Sequence, residues 1–251
     1  MKLTGNTILI TGGTSGIGQA LAEQFHQSGN TVIIAGRRQA ELDRITAAHP
    51  GMQGIQVDLT DAEAINAFAA RIRNEFPALN ALVNNAGIMV AEDHVNGSDA
   101  MAIAERTIQT NITSVLQLTA SLLPSLMKQP AATLMATTSG LAFVPRAQYP
   151  SYCGSKAFLH SWLQSLRQQL RGTSVQVLEL APPYVQTELT GAHQATDPHA
   201  MPLADYIAEV MQLLAVPEPP HGEVLVERVK LLRDAERKGE YEKVFGFLNA
   251  D

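Results

Sequence analysis

Short apolar runs alternate with longer stretches of helix-forming residues along most of the chain, and this alternation limits the fold more than any other feature. The runs are rich in β-branched residues and span Thr7 to Ile10, Thr31 to Ala35, Ile55 to Val57, Ala81 to Val83, Ala131 to Thr137, Val175 to Leu180 and Glu223 to Val226. Strands that are apolar almost throughout, with helices between them, are typical of a parallel sheet covered on both faces. We therefore predict an α/β, doubly wound fold with about seven parallel strands and helices on both faces.

The pattern favours a single domain. The 251 residues contain no Pro/Gly/Ser-rich linker, low-complexity tract or short repeat, and one α/β domain commonly has ~200–250 residues. A polar stretch at about 186–204 interrupts the pattern after the sixth run, and we predict that it forms a substrate loop or lid. Its His193 and His199 have no Cys or third His nearby, so we predict no metal site.

Composition excludes several classes of protein. Hydrophobic residues make up 45% of the chain, too many for a disordered protein. The 18 Lys and Arg are outnumbered by 24 Asp and Glu, so we expect no nucleic-acid or anionic-membrane partner. No run reaches the ~18–20 apolar residues that a membrane span needs. The N-terminal residues show no secretion signal, and the single Cys153 suits a reducing compartment; we therefore expect a cytoplasmic location.

The first apolar run leads directly into a glycine-rich turn. Glycines let the backbone turn sharply and approach a diphosphate, while the N-terminus of the next helix offers free N–H groups. Glycine also occurs in purely structural turns, so the position between a strand and a helix carries the prediction of dinucleotide binding. The predicted binding residues here are Gly12, Thr14, Ser15, Gly16, Ile17 and Gly18.

The end of the second run indicates which dinucleotide is bound. NAD enzymes usually have an Asp or Glu here for the ribose 2′-hydroxyl. This chain has Gly36 followed by Arg37 and Arg38, which suit a 2′-phosphate. We predict that NADP(H) is preferred over NAD(H), the alternative being that the arginines are a solvated pair at the start of a helix.

Tyr152 and Lys156 are four residues apart and lie on one face of a predicted helix. An ammonium ~5 Å from a phenol lowers its pKa, so Tyr152 could titrate near neutrality and act as a general acid/base. Ser139 follows the fifth run, at the sheet edge where α/β proteins bind ligands. A hydroxyl there can donate to a substrate oxygen, although hydroxyl residues at strand ends also serve as caps.

These residues together resemble the short-chain dehydrogenase/reductase family, in its branch of about 250 residues, over the whole chain. The resemblance rests on Thr11-Gly12-x-x-x-Gly16-Ile17-Gly18, Asp58-Leu59, Asn84-Asn85-Ala86-Gly87, Asn111, Ser139, Tyr152-x-x-x-Lys156 and Pro182 through Thr187. Within the family, the chain is similar to the DltE-type subgroup in Tyr149-Pro150-Ser151-Tyr152-Cys153, Ala181-Pro182-Pro183 and Leu232-Arg233-Asp234-Ala235. The family has a Rossmann fold.

The resemblance implies an oxidoreductase that transfers a hydride between NADP(H) and a small carbonyl or secondary alcohol substrate. Tyr152 would be the general acid/base, and Lys156 would lower its pKa and bind the nicotinamide ribose. Ser139 would orient the substrate oxygen, and Asn111 would hold a water that links Lys156 to solvent. The other implied cofactor residues are Asp58 and Leu59 at the adenine, Asn85, Ala86 and Gly87 along the cofactor, and Pro182, Val185 and Thr187 near the carboxamide. The family usually has Gly where this chain has Pro183, which removes a backbone N–H.

Two other functions remain open. One is a nucleotide-binding regulator without catalysis, and the other is an accessory protein of cell-envelope teichoic acid D-alanylation. The presence of all four catalytic residue types favours the enzyme. The resemblance further predicts a homodimer or homotetramer, joined through helices at about Ala100 to Met127 and Tyr152 to Arg171.

Overall fold

One parallel sheet forms the centre of the molecule. The computed structural model describes residues 1–97, 99–216 and 219–250. The strands are β1 Thr7–Thr11, β2 Thr31–Gly36, β3 Gln53–Gln56, β4 Ala81–Asn84, β5 Ala132–Thr137, β6 Val175–Leu180 and β7 Glu223–Val224. They are parallel in the order β3-β2-β1-β4-β5-β6-β7. The predicted seven-stranded, doubly wound sheet is confirmed.

Helices cover both faces of this sheet. They are α1 Gly16–Gln27, α2 Gln39–Ala48, α3 Ala62–Glu75, α4 Ala100–Ile108, α5 Ser114–Leu126, α6 Pro150–Gln169, α7 Ala192–Ala195, α8 Leu203–Ala215, α9 Lys230–Arg233 and α10 Tyr241–Leu248. Within the described ranges, none of the helices has both the length and the apolarity needed to cross a membrane.

The apolar strands supply two separate cores. Successive strand residues point to opposite faces of a sheet, so Ile8 and Ile10 pack on one face and Leu9 on the other. The first core receives buried side chains from α1, α2 and α8, and the second from α3, α5 and α6. The side chains of Ile8, Leu9 and Ile10 are fully buried, which explains why the middle of β1 is apolar on both faces.

The chain changes direction across the sheet between β1 and β4. From β1 it builds outward through β2 to β3, then returns so that β4 pairs with the other side of β1. Such a reversal opens a crevice at the carboxyl ends of the strands. The Thr11 hydroxyl joins the end of β1 to the loop after β4, since its oxygen accepts hydrogen bonds from Asn85 N at 3.0 Å and Ala86 N at 3.1 Å.

The helix predicted after β4 is interrupted, and the predicted loop after β6 contains a short helix of its own. The helix expected from Ala100 to Met127 is divided by a π-helical turn at Gln109–Thr113, which places Asn111 toward the interior. The polar stretch after β6 contains α7 and is fixed at its base by a bridge between Val185 and Met201. Because α8 begins at Leu203, this segment ends at residue 202, two residues before the predicted boundary at about 204.

Gly18 is required by close packing beneath the glycine-rich turn. A Cβ at this position would lie 2.3 Å from Gly12 O and 2.4 Å from the Asn85 side-chain nitrogen. We expect Gly18→Ala to lower the free energy of unfolding by ~1–3 kcal/mol, because backbone atoms must shift. The control Gly246→Ala, in α10, meets no atom within 4 Å and should stabilise the protein by up to ~1 kcal/mol. Urea unfolding compares them, and equal midpoints would contradict the packing argument.

Candidate active site

One continuous cavity of about 520 Å³ lies at the carboxyl ends of the central strands. It extends continuously from the arginines after β2 to Tyr152 and Lys156 on α6. Its lining includes these predicted site residues: Gly12, Thr14, Ser15, Gly16, Ile17, Arg37, Arg38, Asp58, Leu59, Asn85, Ala86, Gly87, Ser139, Tyr152, Lys156, Pro182, Val185 and Thr187.

Two predicted residues, Gly18 and Asn111, do not line the cavity. Gly18 packs beneath the turn, where it allows the turn and Asn85 to approach each other. Asn111 is fully buried behind the cavity wall. Its side-chain oxygen accepts a hydrogen bond from Ile88 N at 2.9 Å, and its amide donates to Ile88 O at 3.0 Å and Ser155 Oγ at 3.1 Å. Asn111 therefore fixes the wall at Ile88.

The glycine-rich turn presents an anion-binding surface. Gly12 has a φ of +66°, and a Cβ there would lie 2.8 Å from Ala86 Cα, so only glycine fits. α1 begins directly after this turn. Among the described residues, the Ser15 side chain does not cap the first N–H groups of α1. Uncapped N–H groups at a helix N-terminus are donors for a diphosphate.

The basic end of the cavity lies beside this turn. The Arg38 guanidinium donates to Thr14 Oγ1 at 3.3 Å, so Arg38 is held against the turn. A Cβ on Gly36 would lie 2.8 Å from Thr14 Cγ2, which leaves little room for a side chain. The pKa of Asp58 is below its usual value, mainly because the N–H and hydroxyl of Thr60 donate to the carboxylate, with a smaller effect of Arg37.

Lys156 is buried at the other end of the cavity. Its ammonium donates to Thr137 O, at the end of β5, at 2.7 Å. Burial lowers the pKa of Lys156 from 10.5 to about 8, because a low-dielectric environment disfavours the charged form. The lysine is therefore charged at neutral pH but close to losing its proton.

Tyr152 lies next to Lys156, with the ammonium 5.6 Å from the ring centroid. Burial raises the pKa of Tyr152 to about 12, and a hydrogen bond with Ser139 opposes this effect. The expectation that the phenol titrates near neutrality does not hold for the cofactor-free protein. The reason is that the loss of solvation raises the pKa of Tyr152 by more than the hydrogen bond with Ser139 lowers it.

Ser139 is held in a fixed position by the turn that follows β5. It caps a short 3₁₀ turn at Gly140–Ala142, and its hydroxyl oxygen accepts a hydrogen bond from Leu141 N at 3.1 Å. Gly140 N donates to Pro182 O at 2.8 Å, which joins this turn to the loop after β6. Ser139 is thus held at the end of the cavity beside Tyr152, with which it forms a hydrogen bond.

Two residues that organise the site were not among the predicted ones. Thr11 binds the backbone of Asn85 and Ala86, and its position at a strand end before glycine was a usable signal. Gln194, on α7, is buried and donates to Val185 O at 2.8 Å and Thr187 Oγ1 at 3.1 Å. No sequence pattern indicates Gln194, because its partners are set by how the segment folds back.

Potential metal ligands occur away from the cavity. In the part of the chain that the structure describes, the group with suitable spacing is His160, Glu179 and Glu223, and the predicted solvated residues His193 and His199 are not in it. Arg233 already pairs with Glu223 at 2.7 Å and His160 with Glu179 at 2.8 Å.

The fold and site define a dinucleotide-binding oxidoreductase, and comparisons with known proteins agree. The family model for short chain dehydrogenases matches residues 6–198. The chain is 41% identical to the uncharacterized oxidoreductase DltE of Bacillus subtilis (strain 168), over 99% of this chain and 98% of that protein. It is 36% identical to serine 3-dehydrogenase of Agrobacterium fabrum (strain C58 / ATCC 33970), over 76% and 78%. A closed form of serine dehydrogenase complexed with NADP⁺ aligns with a TM-score of 0.77 at 26% identity, covering 86% and 91%.

The chain therefore belongs to the short-chain dehydrogenase/reductase family and is an NAD(P)-dependent oxidoreductase. The observed residues fit a nicotinamide dinucleotide, because α1 offers uncapped donors at its N-terminus and the cavity continues from there to Tyr152 and Lys156.

The buried ammonium of Lys156 predicts a specific pH dependence of stability. Its folded pKa of about 8 lies below its ordinary 10.5, so between these values the folded protein holds fewer protons than the unfolded chain. The stability of the cofactor-free protein relative to Lys156→Met should rise through this window by up to ~3 kcal/mol, at ~1.36 kcal/mol per pKa unit. Denaturant unfolding of both proteins from pH 7 to 10.5 measures the difference. A constant difference would show that the ammonium is not desolvated.

Proposed function

We propose that this protein is an NADP(H)-dependent reductase of a small carbonyl compound, with Tyr152 as the general acid. One observation carries the proposal: a single cavity joins the two arginines after β2 to Ser139, Tyr152 and Lys156. A dinucleotide that binds with its adenosine end at Arg37 and Arg38 brings its other end to these catalytic side chains.

Different residues would bind different parts of the cofactor. The turn from Gly12 to Gly18 and the start of α1 would hold the diphosphate, and Asp58 and Leu59 the adenine. Arg37 is the candidate for the 2′-phosphate, because Arg38 already donates to Thr14. Asn85, Ala86 and Gly87 would line the cofactor, and Pro182, Val185 and Thr187 would contact the nicotinamide end. Gln194 supports this end by fixing Val185 and Thr187.

The state of Tyr152 favours the reducing direction. A phenol with a pKa of about 12 keeps its proton at neutral pH, as a general acid must. NADPH, when bound, supplies the hydride to the carbonyl carbon. Ser139 orients the carbonyl oxygen, Tyr152 transfers its proton to that oxygen, and Lys156 stabilises the tyrosinate that forms. Asn111 would hold the water that links Lys156 to solvent.

The substrate end of the cavity is largely apolar. Ile88, Met89, Val90 and Leu189 line it, and Leu141 packs with Tyr152. Phe143 and Val144, which follow Leu141 closely in the chain, are not part of this lining: Val144 is in a separate core and Phe143 contacts His160. A substrate with a small apolar group beside its carbonyl fits this lining.

We further propose a homodimer or homotetramer in the cytoplasm. Most apolar residues on the helices expected to join subunits are buried within one chain, including Val115, Leu118 and Leu163. Support for an interface comes from Met101 and Phe158, which are 66% and 43% exposed. These lie on α4 and α6, which pack together. A mass near 27.0 kDa by light scattering would reject it.

Tyr152→Phe tests the chemistry. This variant keeps the ring but removes the transferable proton, so kcat should fall by ~10²–10⁴ while NADPH affinity changes little. A suitable panel is benzaldehyde, acetophenone and ethyl acetoacetate with NADPH, and L-serine with NADP⁺. Tyr149→Phe is the matched control, because Tyr149 is also buried and precedes Tyr152 by one helical turn. Full activity of Tyr152→Phe would overturn the mechanism, and wild-type binding of NADPH without turnover would favour a regulator or accessory protein.

Arg37→Ala tests the cofactor preference. Loss of a charge-assisted contact with the 2′-phosphate should lower NADPH affinity by ~10- to 150-fold and leave NADH affinity nearly unchanged. Arg44→Ala removes a charge from an exposed arginine that pairs with Glu41, outside the cavity, and controls for net charge. The measurement is kcat/KM for both cofactors. A wild-type preference for NADH would refute the prediction.

A further inference from the structure

A buried carboxylate lies directly behind the catalytic end of the cavity and takes no part in the reaction described above. Glu179, on β6, has a fully buried side chain. A buried carboxylate costs several kcal/mol unless it is paired and hydrogen-bonded. An apolar residue would fill the same space without this cost, so the partners of Glu179 indicate what the carboxylate does.

The first partner is Thr138, which lies between the lysine-binding carbonyl and the catalytic serine. The Thr138 hydroxyl donates to Glu179 Oε1 at 2.7 Å, and the Thr138 N–H donates to Leu180 O at 2.8 Å. Thr138 is 1% exposed. A hydrogen bond to a carboxylate is short and strong, and it fixes the hydroxyl more firmly than a neutral acceptor would.

The second partner is His160, one helical turn after Lys156 on α6. His160 Nδ1 lies 2.8 Å from Glu179 Oε2, and its Nε2 lies 2.7 Å from the Gln164 amide nitrogen. Since that amide donates to Nε2, the neutral ring carries its proton on Nδ1 and donates it to Glu179. Phe143 packs edge-on against the ring at a centroid distance of 4.9 Å.

α6 is thus joined to two consecutive residues at the end of β5. Lys156 binds Thr137 O directly, and His160 reaches Thr138 through Glu179. Ser139 is the next residue. The two connections fix the spacing between the helix that carries Tyr152 and the turn that carries Ser139.

We infer that Glu179, held by His160, is a positioning residue that fixes Thr138 and thereby sets Ser139 opposite Tyr152 for proton transfer. This role rests on the proposed function. Glu179 touches neither substrate nor cofactor, since it does not line the cavity. Its effect is on the geometry of the transition state, where small displacements of catalytic groups are costly.

Glu223 offers a matched control. It is also buried, it pairs with Glu179 in the register of β6 and β7, and Arg233 binds its carboxylate at 2.7 and 3.0 Å. Among the described residues, none of its hydrogen bonds goes to Thr138. Glu223→Gln therefore removes a buried charge close to Glu179 and His160 but keeps the hydrogen bonds that connect His160, Glu179 and Thr138.

The experiment compares Glu179→Gln, Thr138→Val and Glu223→Gln, with Thr138→Ser as the conservative variant. For the fastest substrate of the panel above, we expect kcat to fall ~10-fold or more in the first two and to change less than ~3-fold in Glu223→Gln. KM for NADPH should stay within ~3-fold of wild type, and Thr138→Ser, which keeps the hydroxyl, should recover most of kcat. The double variant Glu179→Gln/Thr138→Val should be no slower than either single variant, because both break one connection.

Hydrogen exchange of residues 137–143 gives a readout that needs no substrate. Exchange there should accelerate in Glu179→Gln and Thr138→Val but not in Glu223→Gln. Equal losses of kcat in Glu179→Gln and Glu223→Gln, with unchanged exchange, would reduce Glu179 to a general stabilising residue and overturn the inference. Tyr152→Phe separates the two hypotheses: if it is fully active the proposed mechanism fails, and if it is inactive while Glu179→Gln keeps its kcat, only the positioning role fails.

Discussion

The Thr11 hydroxyl sits at the point on which the rest of the site depends. At the reversal between β1 and β4, the two strand ends must be far enough apart to admit a ligand. The loops that follow them must nevertheless be held in fixed positions relative to each other. Thr11 does this by accepting hydrogen bonds from Asn85 N and Ala86 N, while the Asn85 side chain accepts a hydrogen bond from the Thr137 hydroxyl at 3.2 Å. The ends of β1, β4 and β5 are thereby tied together, and the glycine-rich turn, the cofactor wall and the catalytic end become parts of one surface.

Burial decides the chemistry at the catalytic end. In water, an ammonium and a phenol that lie close together would each favour the charged form of the other. The pKa of the lysine would rise, and that of the tyrosine would fall. In this protein both are enclosed, so the lysine pKa falls to about 8 and the tyrosine pKa rises to about 12. The consequence is a tyrosine that keeps its proton at neutral pH, as the proposed general acid must, next to a lysine whose charge is retained at neutral pH at the expense of stability.

Much of the fold could be predicted from the sequence, because strands that are buried on both faces of the sheet are apolar at successive positions. The middle of β1 is apolar on both faces because Ile8, Leu9 and Ile10 fill two cores. The glycine turn and the Tyr152–Lys156 pair were also visible, since a positive φ and a helical spacing each require particular residues. What could not be predicted depends on contacts between distant segments. Packing determines three such features: the π-helical turn that buries Asn111, the contact of Gln194 with Val185 and the contact of His160 with Glu179. No local sequence pattern predicts them.

We propose that one NADP(H) molecule spans the cavity, with its 2′-phosphate at the arginines and its nicotinamide beside Tyr152. A crystal structure of the protein with NADP⁺ measures this most directly. We expect that the 2′-phosphate contacts Arg37, that the diphosphate contacts the N-terminus of α1, and that the nicotinamide ribose contacts Lys156. A nicotinamide placed away from Tyr152, or a 2′-phosphate that contacts neither Arg37 nor Arg38, would contradict it.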